Sequence, residues 1–94
     1  MYEESKKELV RICHLLYDKN LVTAADGNVS VRVSKDHILL TPSGKGKGFV
    51  EEKDILVLDL EGNLVEGSGK PSREYPMHRA VYEERPEVGA VVHT

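Results

Sequence analysis

The chain has 94 residues, of which 39% are hydrophobic and 31% are charged, and its formal net charge is −3. A chain of this length forms one domain at most, or part of a larger one, and buries about two-thirds of its unfolded surface. Because both charge signs are mixed along the chain, the pattern is that of an ordinary soluble surface and excludes a nucleic-acid footprint. The apolar runs are too short to span a bilayer, and residues 1–7 lack the apolar core of a signal peptide, so we expect a cytoplasmic protein without a membrane partner.

The first half of the chain predicts a helix followed by a hairpin. Apolar residues recur at spacings of three and four from Glu3 to Asn20, without proline or glycine, which predicts a helix. Its single cysteine, Cys13, lies on the apolar side, and we expect a buried thiol. Residues 29–33 alternate valine with polar residues, which predicts a half-buried strand, and residues 37–41 predict a second strand that pairs with it.

The second half predicts another hairpin, a helix and a last strand. Residues 55–60 and 64–66 form the hairpin, since a Glu-Gly-Asn turn separates them. The helix begins near Ser72 and ends before Pro86, and residues 88–93 form the strand. This order is not a repeating βαβ pattern. We therefore predict an α/β fold with a mixed, mainly antiparallel central sheet flanked by helices, in one structural unit.

Three loops carry the small and polar residues that an anion site needs. They contain Gly27-Asn28, Thr41-Pro42-Ser43-Gly44 and Pro71-Ser72. Each adjoins a predicted strand or helix end, where backbone N–H groups converge on an anion. Together they suggest a phosphate pocket, although each alone is typical of an ordinary turn. Lys45 and Lys47 are near enough in sequence to reach a phosphate, but we expect both to be exposed loop lysines.

The last third of the chain holds residues with metal-ligand chemistry. Glu74 and His78 are four apart in the predicted helix and share a face, and His93 ends the following strand. Imidazole and carboxylate groups bind Zn²⁺, and a zinc ion with an open position polarises a substrate oxygen. Taken singly, each has a simpler interpretation: Glu74 as a partner of the helix dipole, His78 as a packed histidine or one that supports a ligand, and His93 as a frayed chain end.

Four segments stand out together: Asp26-Gly27-Asn28-Val29-Ser30, Thr41-Pro42-Ser43-Gly44, Pro71-Ser72-Arg73-Glu74 with Met77-His78, and Arg85-Pro86 running into Ala90-Val91-Val92-His93-Thr94. In order and spacing they resemble the class II aldolase and adducin family, whose enzymes include L-fuculose-phosphate aldolases and L-ribulose-5-phosphate 4-epimerases. The resemblance covers nearly the whole chain from Glu4 onward. In the enzymes of that family, zinc is held by a His-x-His pair on a strand and by a third histidine further on.

The resemblance implies a reaction, a cofactor and a role for each matched residue. The reaction is the reversible retro-aldol cleavage of a phosphorylated ketose to dihydroxyacetone phosphate and an aldehyde, with zinc as the cofactor. Residues 1–94 are then the N-terminal part of a single class II aldolase/adducin-like domain of a homotetramer, and alone we expect them to be inactive. The matched positions are Asn28, Ser43, Gly44 and Ser72 for the phosphate, Glu74 for the carboxylate that contacts zinc at rest and acts as acid and base, and His93 for the first zinc ligand.

Two positions bear on which member of the family this chain resembles. Arg73 stands where the aldolases usually carry a second serine, and its guanidinium can bind a phosphate bidentately, so charge recognition is kept while its geometry changes. Glu74 stands where the epimerases tend to have aspartate, which favours aldolase chemistry. The alternatives are the epimerase, a methylthioribulose-1-phosphate dehydratase, which also keeps the glutamate, and a non-enzymatic adducin-like interaction module, which has the fold but not the zinc histidines.

Overall fold

The computed structural model of the chain describes residues 1–21, 27–42, 46–67 and 75–93. In these ranges, two helices lie on opposite faces of one sheet of five strands. Neither described helix is long and apolar enough to cross a membrane. The elements are α1 (Glu3–Asp18), β1 (Asn28–Arg32), β2 (His37–Leu40), a 3₁₀ turn (Glu52–Asp54), β3 (Leu56–Asp59), β4 (Leu64–Glu66), α2 (Tyr75–Glu84) and β5 (Ala90–His93).

The sheet has the strand order β4-β3-β2-β1-β5, and every described pair of neighbours is antiparallel. Both predicted hairpins, β1 with β2 and β3 with β4, are confirmed. The last strand, β5, crosses over to pair with β1 instead of extending the second hairpin. The predicted fold class, a mainly antiparallel sheet flanked by helices, is therefore confirmed.

The core is divided by the sheet into two layers, because successive side chains of a strand point to opposite faces. On one face, Leu39 at the centre of the sheet packs in a cluster with Leu9 and Cys13 of α1. On the other face, Leu40 packs in a cluster with Tyr75 and Tyr82 of α2. Each fully buried leucine contributes about 1.5–3 kcal/mol relative to an exposed one, so both layers are needed for a chain of this size.

Helix α1 ends two residues earlier than predicted, and the cause is local. Asn20 has φ of 59°, in the left-handed region that stops a helix and that asparagine tolerates better than most residues. Its N–H donates to the carbonyl of Tyr17 at 3.0 Å, and the N–H of Leu21 donates to the carbonyl of Leu16 at 2.9 Å. These two bonds form a Schellman motif, which satisfies carbonyls that the helix would otherwise leave without partners.

The prediction of an exposed lysine at position 47 is wrong. Lys47 is 1% exposed, because the segment that contains it packs against the C-terminal half of α1. Here Val50 is fully buried and its carbonyl lies 2.8 Å from Nε2 of His14, while a Cβ on Gly48 would come within 2.6 Å of the Tyr17 ring. Residues 43–45, and with them Lys45, lie outside the described residues.

The prediction of a buried thiol at Cys13 is confirmed, since the side chain is 0% exposed. Burial raises its pKa from an ordinary 9.0 to about 11, and the charge of Lys47 opposes this shift only in part. The folded chain therefore holds the thiol proton more tightly than the unfolded chain does. The resulting contribution to the free energy of unfolding is fully present below about pH 9 and is lost as the pH rises through about 11.

We expect iodoacetamide to alkylate Cys13 at pH 8 at least about 100-fold more slowly in the folded chain than in urea, because the fold excludes the reagent and a pKa of about 11 in place of 9.0 lowers the thiolate fraction. Mass spectrometry of timed samples gives both rates. Similar rates with and without urea would contradict the burial of this thiol.

Candidate active site

One end of the sheet gathers the described residues that adjoin the predicted site segments. Asn28 begins β1 and is the register partner of His93, which ends β5. Because β2 and β4 run antiparallel to their neighbours, their C-terminal residues lie at this same end of the sheet: Leu40 lies opposite Leu56, and Glu66 lies opposite Val57. The segments 43–45 and 68–74 therefore follow described residues of β2 and β4 that lie at the Asn28 end of the sheet.

Asn28 is held by the backbone on both sides. Gly27 precedes it with φ of 84°, a left-handed conformation that side chains disfavour and that turns the chain sharply into β1. After Asn28, the N–H of Val29 donates to Oγ1 of Thr41 at 3.2 Å, and the N–H of Thr41 donates to the carbonyl of Val29 at 3.1 Å. Thr41 is fully buried and Asn28 is 8% exposed. The start of β1 is thus fixed directly beside the chain that leads into residues 43–45.

A buried polar cluster lies between β1 and α2, close to this end of the sheet. Ser30 Oγ is 2.6 Å from Nδ1 of His78 and 2.8 Å from the hydroxyl of Tyr82, and all three side chains are at most 1% exposed. Burial raises the pKa of Tyr82, and the hydrogen bond with Ser30 lowers it in part, so the phenol is neutral at physiological pH. Among the simpler interpretations of single residues, that of His78 as a packed histidine is confirmed.

The cluster also corrects the prediction of a half-buried strand. Val29 and Ser30 point to opposite faces of β1, and they are 2% and 0% exposed. Helix α2 covers the face of Ser30, which the alternation of valines with polar residues had assigned to solvent. Ser30 and Thr41 were named in the predicted site segments, but their buried hydrogen bonds were not predicted, and Tyr82 was missed; the one available signal was the spacing of four between His78 and Tyr82 in the helix.

The structure places only part of the predicted site. Asn28 lies at the start of β1, and the backbone of His93 lies opposite it at the end of β5. The remaining predicted residues, which are Ser43, Gly44, Ser72, Arg73 and Glu74, lie outside the described residues, as does the predicted start of the second helix near Ser72. The predicted end of that helix is confirmed, since α2 stops at Glu84, before Pro86.

The donor set fits a zinc ion in its chemistry. Among the residues that the structure describes, no three His, Cys, Asp or Glu side chains form a group that could hold a metal ion. The predicted donors are His93, next to Asn28 in the sheet, and Glu74, which directly precedes α2 in the sequence. Zinc accepts imidazole nitrogen and carboxylate oxygen, and a set of these two types leaves positions for further ligands.

Comparison with known proteins shows the family of the chain. Residues 7–94 match the family described as Class II Aldolase and Adducin N-terminal domain. The chain therefore belongs to the class II aldolase and adducin family. Within it, the chain is 46% identical over 89 residues to a protein of Methanococcus vannielii named L-fuculose phosphate aldolase, a match that covers 94% of this chain and 47% of the relative.

Two further relatives show how far the similarity extends. A protein of Pseudomonas syringae pv. tomato named methylthioribulose-1-phosphate dehydratase is 42% identical over 92 residues, which cover 98% of this chain and 45% of that protein. A solved structure named L-fuculose 1-phosphate aldolase superimposes with a TM-score of 0.92 at 35% identity, over 100% of this chain and 45% of the other. The chain spans about half the length of the relatives it matches.

Proposed function

We propose that residues 1–94 are the N-terminal part of a single class II aldolase/adducin-like domain of a zinc-dependent aldolase. The substrate is a phosphorylated ketose of the L-fuculose phosphate type, which the enzyme cleaves reversibly to dihydroxyacetone phosphate and an aldehyde. The observation that carries this proposal is the register pairing of Asn28 with His93, because the amide proposed to bind the phosphate then lies opposite a residue of a type that binds zinc. The enzyme is proposed to be a cytoplasmic homotetramer.

Phosphate recognition is assigned to residues whose donors suit an anion. The side-chain amide of Asn28 donates to a phosphate oxygen, and the two hydrogen bonds between Val29 and Thr41 fix the backbone beside it. Ser43 and Ser72 offer hydroxyl donors, Gly44 offers a backbone N–H without a side chain in the way, and Arg73 offers a guanidinium that binds phosphate bidentately. Binding the phosphate in this way holds the reacting carbons in a fixed position.

Proton transfer is assigned to Glu74. In the condensing direction its carboxylate removes a proton from the carbon of dihydroxyacetone phosphate that attacks the aldehyde, and in the cleavage direction it returns that proton. His93 and Glu74 are the residues that would hold the zinc ion. When bound, zinc supplies Lewis-acid stabilisation of the negative charge that develops on oxygen as the carbon–carbon bond breaks.

A second candidate is dehydration of methylthioribulose 1-phosphate. The observation that favours it is the 42% identity with the Pseudomonas syringae relative of that name. Both reactions use a phosphate site and an acid–base carboxylate, so the proposed site residues suit either. The products distinguish them, since only the aldolase releases dihydroxyacetone phosphate. A protein that binds neither zinc nor a sugar phosphate would be the interaction module instead.

The test uses a hybrid polypeptide, in which residues 1–94 are continued by the part of the Methanococcus vannielii relative that they do not match. We expect it to hold about one zinc ion per chain and to cleave L-fuculose 1-phosphate. His93→Ala should lose most of the zinc and the cleavage. Elemental analysis measures the metal, and coupled reduction of dihydroxyacetone phosphate with NADH measures the cleavage.

The matched control is His37→Ala. His37 begins β2, at the opposite end of the sheet, where its Nδ1 lies 2.7 Å from the hydroxyl of Tyr2. This change removes a histidine without touching the proposed site, so zinc and activity should stay. A folded hybrid that holds no zinc and cleaves no sugar phosphate would refute the aldolase proposal, and equal zinc loss in both variants would refute the role of His93.

A further inference from the structure

The Ser30–His78–Tyr82 cluster places three polar groups beside the hydrophobic cluster between the sheet and α2. The neighbours of these polar groups include Ile38 and Leu40 on β2 and Leu56 and Leu58 on β3, all fully buried. Polar groups removed from water cost free energy unless they form hydrogen bonds, and apolar residues of similar shape would avoid that cost. The cluster therefore does more than fill space: its short hydrogen bonds define one position of α2 on β1.

A second contact makes that position more specific. Nη2 of Arg32, two residues after Ser30 in β1, donates to the carbonyl of Tyr82 at 2.9 Å, and its guanidinium lies 5.1 Å from the centre of the Tyr82 ring. Tyr82 is thus held by β1 through its hydroxyl, its ring and its carbonyl. Rotation or sliding of α2 would break all three contacts at once.

The cluster connects the two elements that adjoin the proposed site. Ser30 and Asn28 are two residues apart on one face of β1, a distance of about 7 Å along a strand. Their register partners in β5 are Val91 and His93. On the helix side, His78 is the fourth residue after Glu74. The hydrogen bonds of Ser30 therefore link the strand that begins with Asn28 to the helix that follows the proposed acid–base residue.

We propose that Ser30, His78 and Tyr82 are positioning residues that fix α2 on β1 and thereby hold Asn28 in the geometry that binds the substrate phosphate. This inference rests on the proposed function. In this inference the three residues act through the backbone of β1 and not by contact with the phosphate. Loss of one hydrogen bond in the cluster should weaken phosphate binding without unfolding the chain.

The test is a titration of the 94-residue chain with dihydroxyacetone phosphate, followed by the NMR signals of the Asn28 side-chain amide. We expect Tyr82→Phe to raise the dissociation constant about fivefold, the factor expected for loss of one ordinary hydrogen bond. Tyr75→Phe is the matched control, because Tyr75 is also buried on α2 but its hydroxyl donates to the carbonyl of Asp59, at the far end of β3, at 3.0 Å. Ser30→Ala provides a second variant of the cluster.

Each outcome decides one point. Weaker binding in Tyr82→Phe and Ser30→Ala, with unchanged binding in Tyr75→Phe, supports the inference, since both tyrosine variants lose one hydroxyl. Equal dissociation constants in Tyr82→Phe, Tyr75→Phe and the unchanged chain would overturn the inference and leave the proposed function intact. If the Asn28 signals of the unchanged chain do not respond, the phosphate role of Asn28 in the proposed function is wrong, and the inference fails with it.

Discussion

Replacing Glu74 with glutamine should slow cleavage of L-fuculose 1-phosphate by the hybrid polypeptide about 10²- to 10⁴-fold, the range in which a positioned general acid or base contributes to catalysis. Glutamine keeps the shape and one oxygen of the side chain but cannot accept and return a proton at neutral pH. The zinc content should stay largely unchanged, because His93 and the ligands from the remainder of the hybrid still bind the ion. Parallel measurements of kcat and of bound zinc separate the two roles.

The control for this variant is Glu84→Gln. Glu84 is the last residue of α2 and is exposed, so the same chemical change there should leave cleavage unaffected. Full activity in Glu74→Gln would refute the acid–base assignment. Loss of zinc together with activity would show instead that Glu74 serves mainly as a metal ligand.

Helix α1 and the hairpins could be predicted from the sequence because each depends on the pattern of residues within one short segment. The stripe that includes Leu9 and Cys13 defined α1, and the glycine turn at Gly62, which has φ of 92°, defined the second hairpin. Among the elements in the described parts of the chain, the 3₁₀ turn at Glu52–Asp54 was not predicted, since three residues are too few for a periodic pattern.

The burial of polar residues could not be predicted, because it depends on which elements meet across the fold. Ser30 is buried only because α2, which starts 45 residues later, covers that face of β1. Lys47 is buried only because its segment returns to α1. No pattern of period two or 3.6 contains such contacts, so a polar residue between two valines was assigned to solvent.

The candidate site was predicted as a set of residues, and its geometry came from the sheet. Spacing along the chain gave no distance between Asn28 and His93, which are 65 residues apart in sequence and directly opposite in register. The crossover of β5 to the β1 edge creates that pairing, and a simple extension of the second hairpin would have separated them. Strand order, which the sequence does not state, therefore decides whether these residues form one site.

The largest expected loss of stability comes from Leu39→Ala, at the centre of the sheet. Leu39 is fully buried in β2, the middle strand of five, and truncation leaves a cavity between the sheet and α1 in addition to the lost burial. We expect the free energy of unfolding to fall by about 2–5 kcal/mol, a large part of the roughly 5–15 kcal/mol that holds a typical domain together. Urea denaturation followed by circular dichroism measures the change.

Leu64→Ala is the matched control, with the same atoms removed from a leucine that is 44% exposed on the edge strand β4. Its cost should be well below that of Leu39→Ala, within about 1 kcal/mol, because little burial is lost and solvent fills the space. Similar costs for the two variants would mean that α1 does not pack on β2 in solution. Because Asn28 and Thr41 are held by the same central strands, Leu39→Ala should also weaken phosphate binding, whereas Leu64→Ala should not.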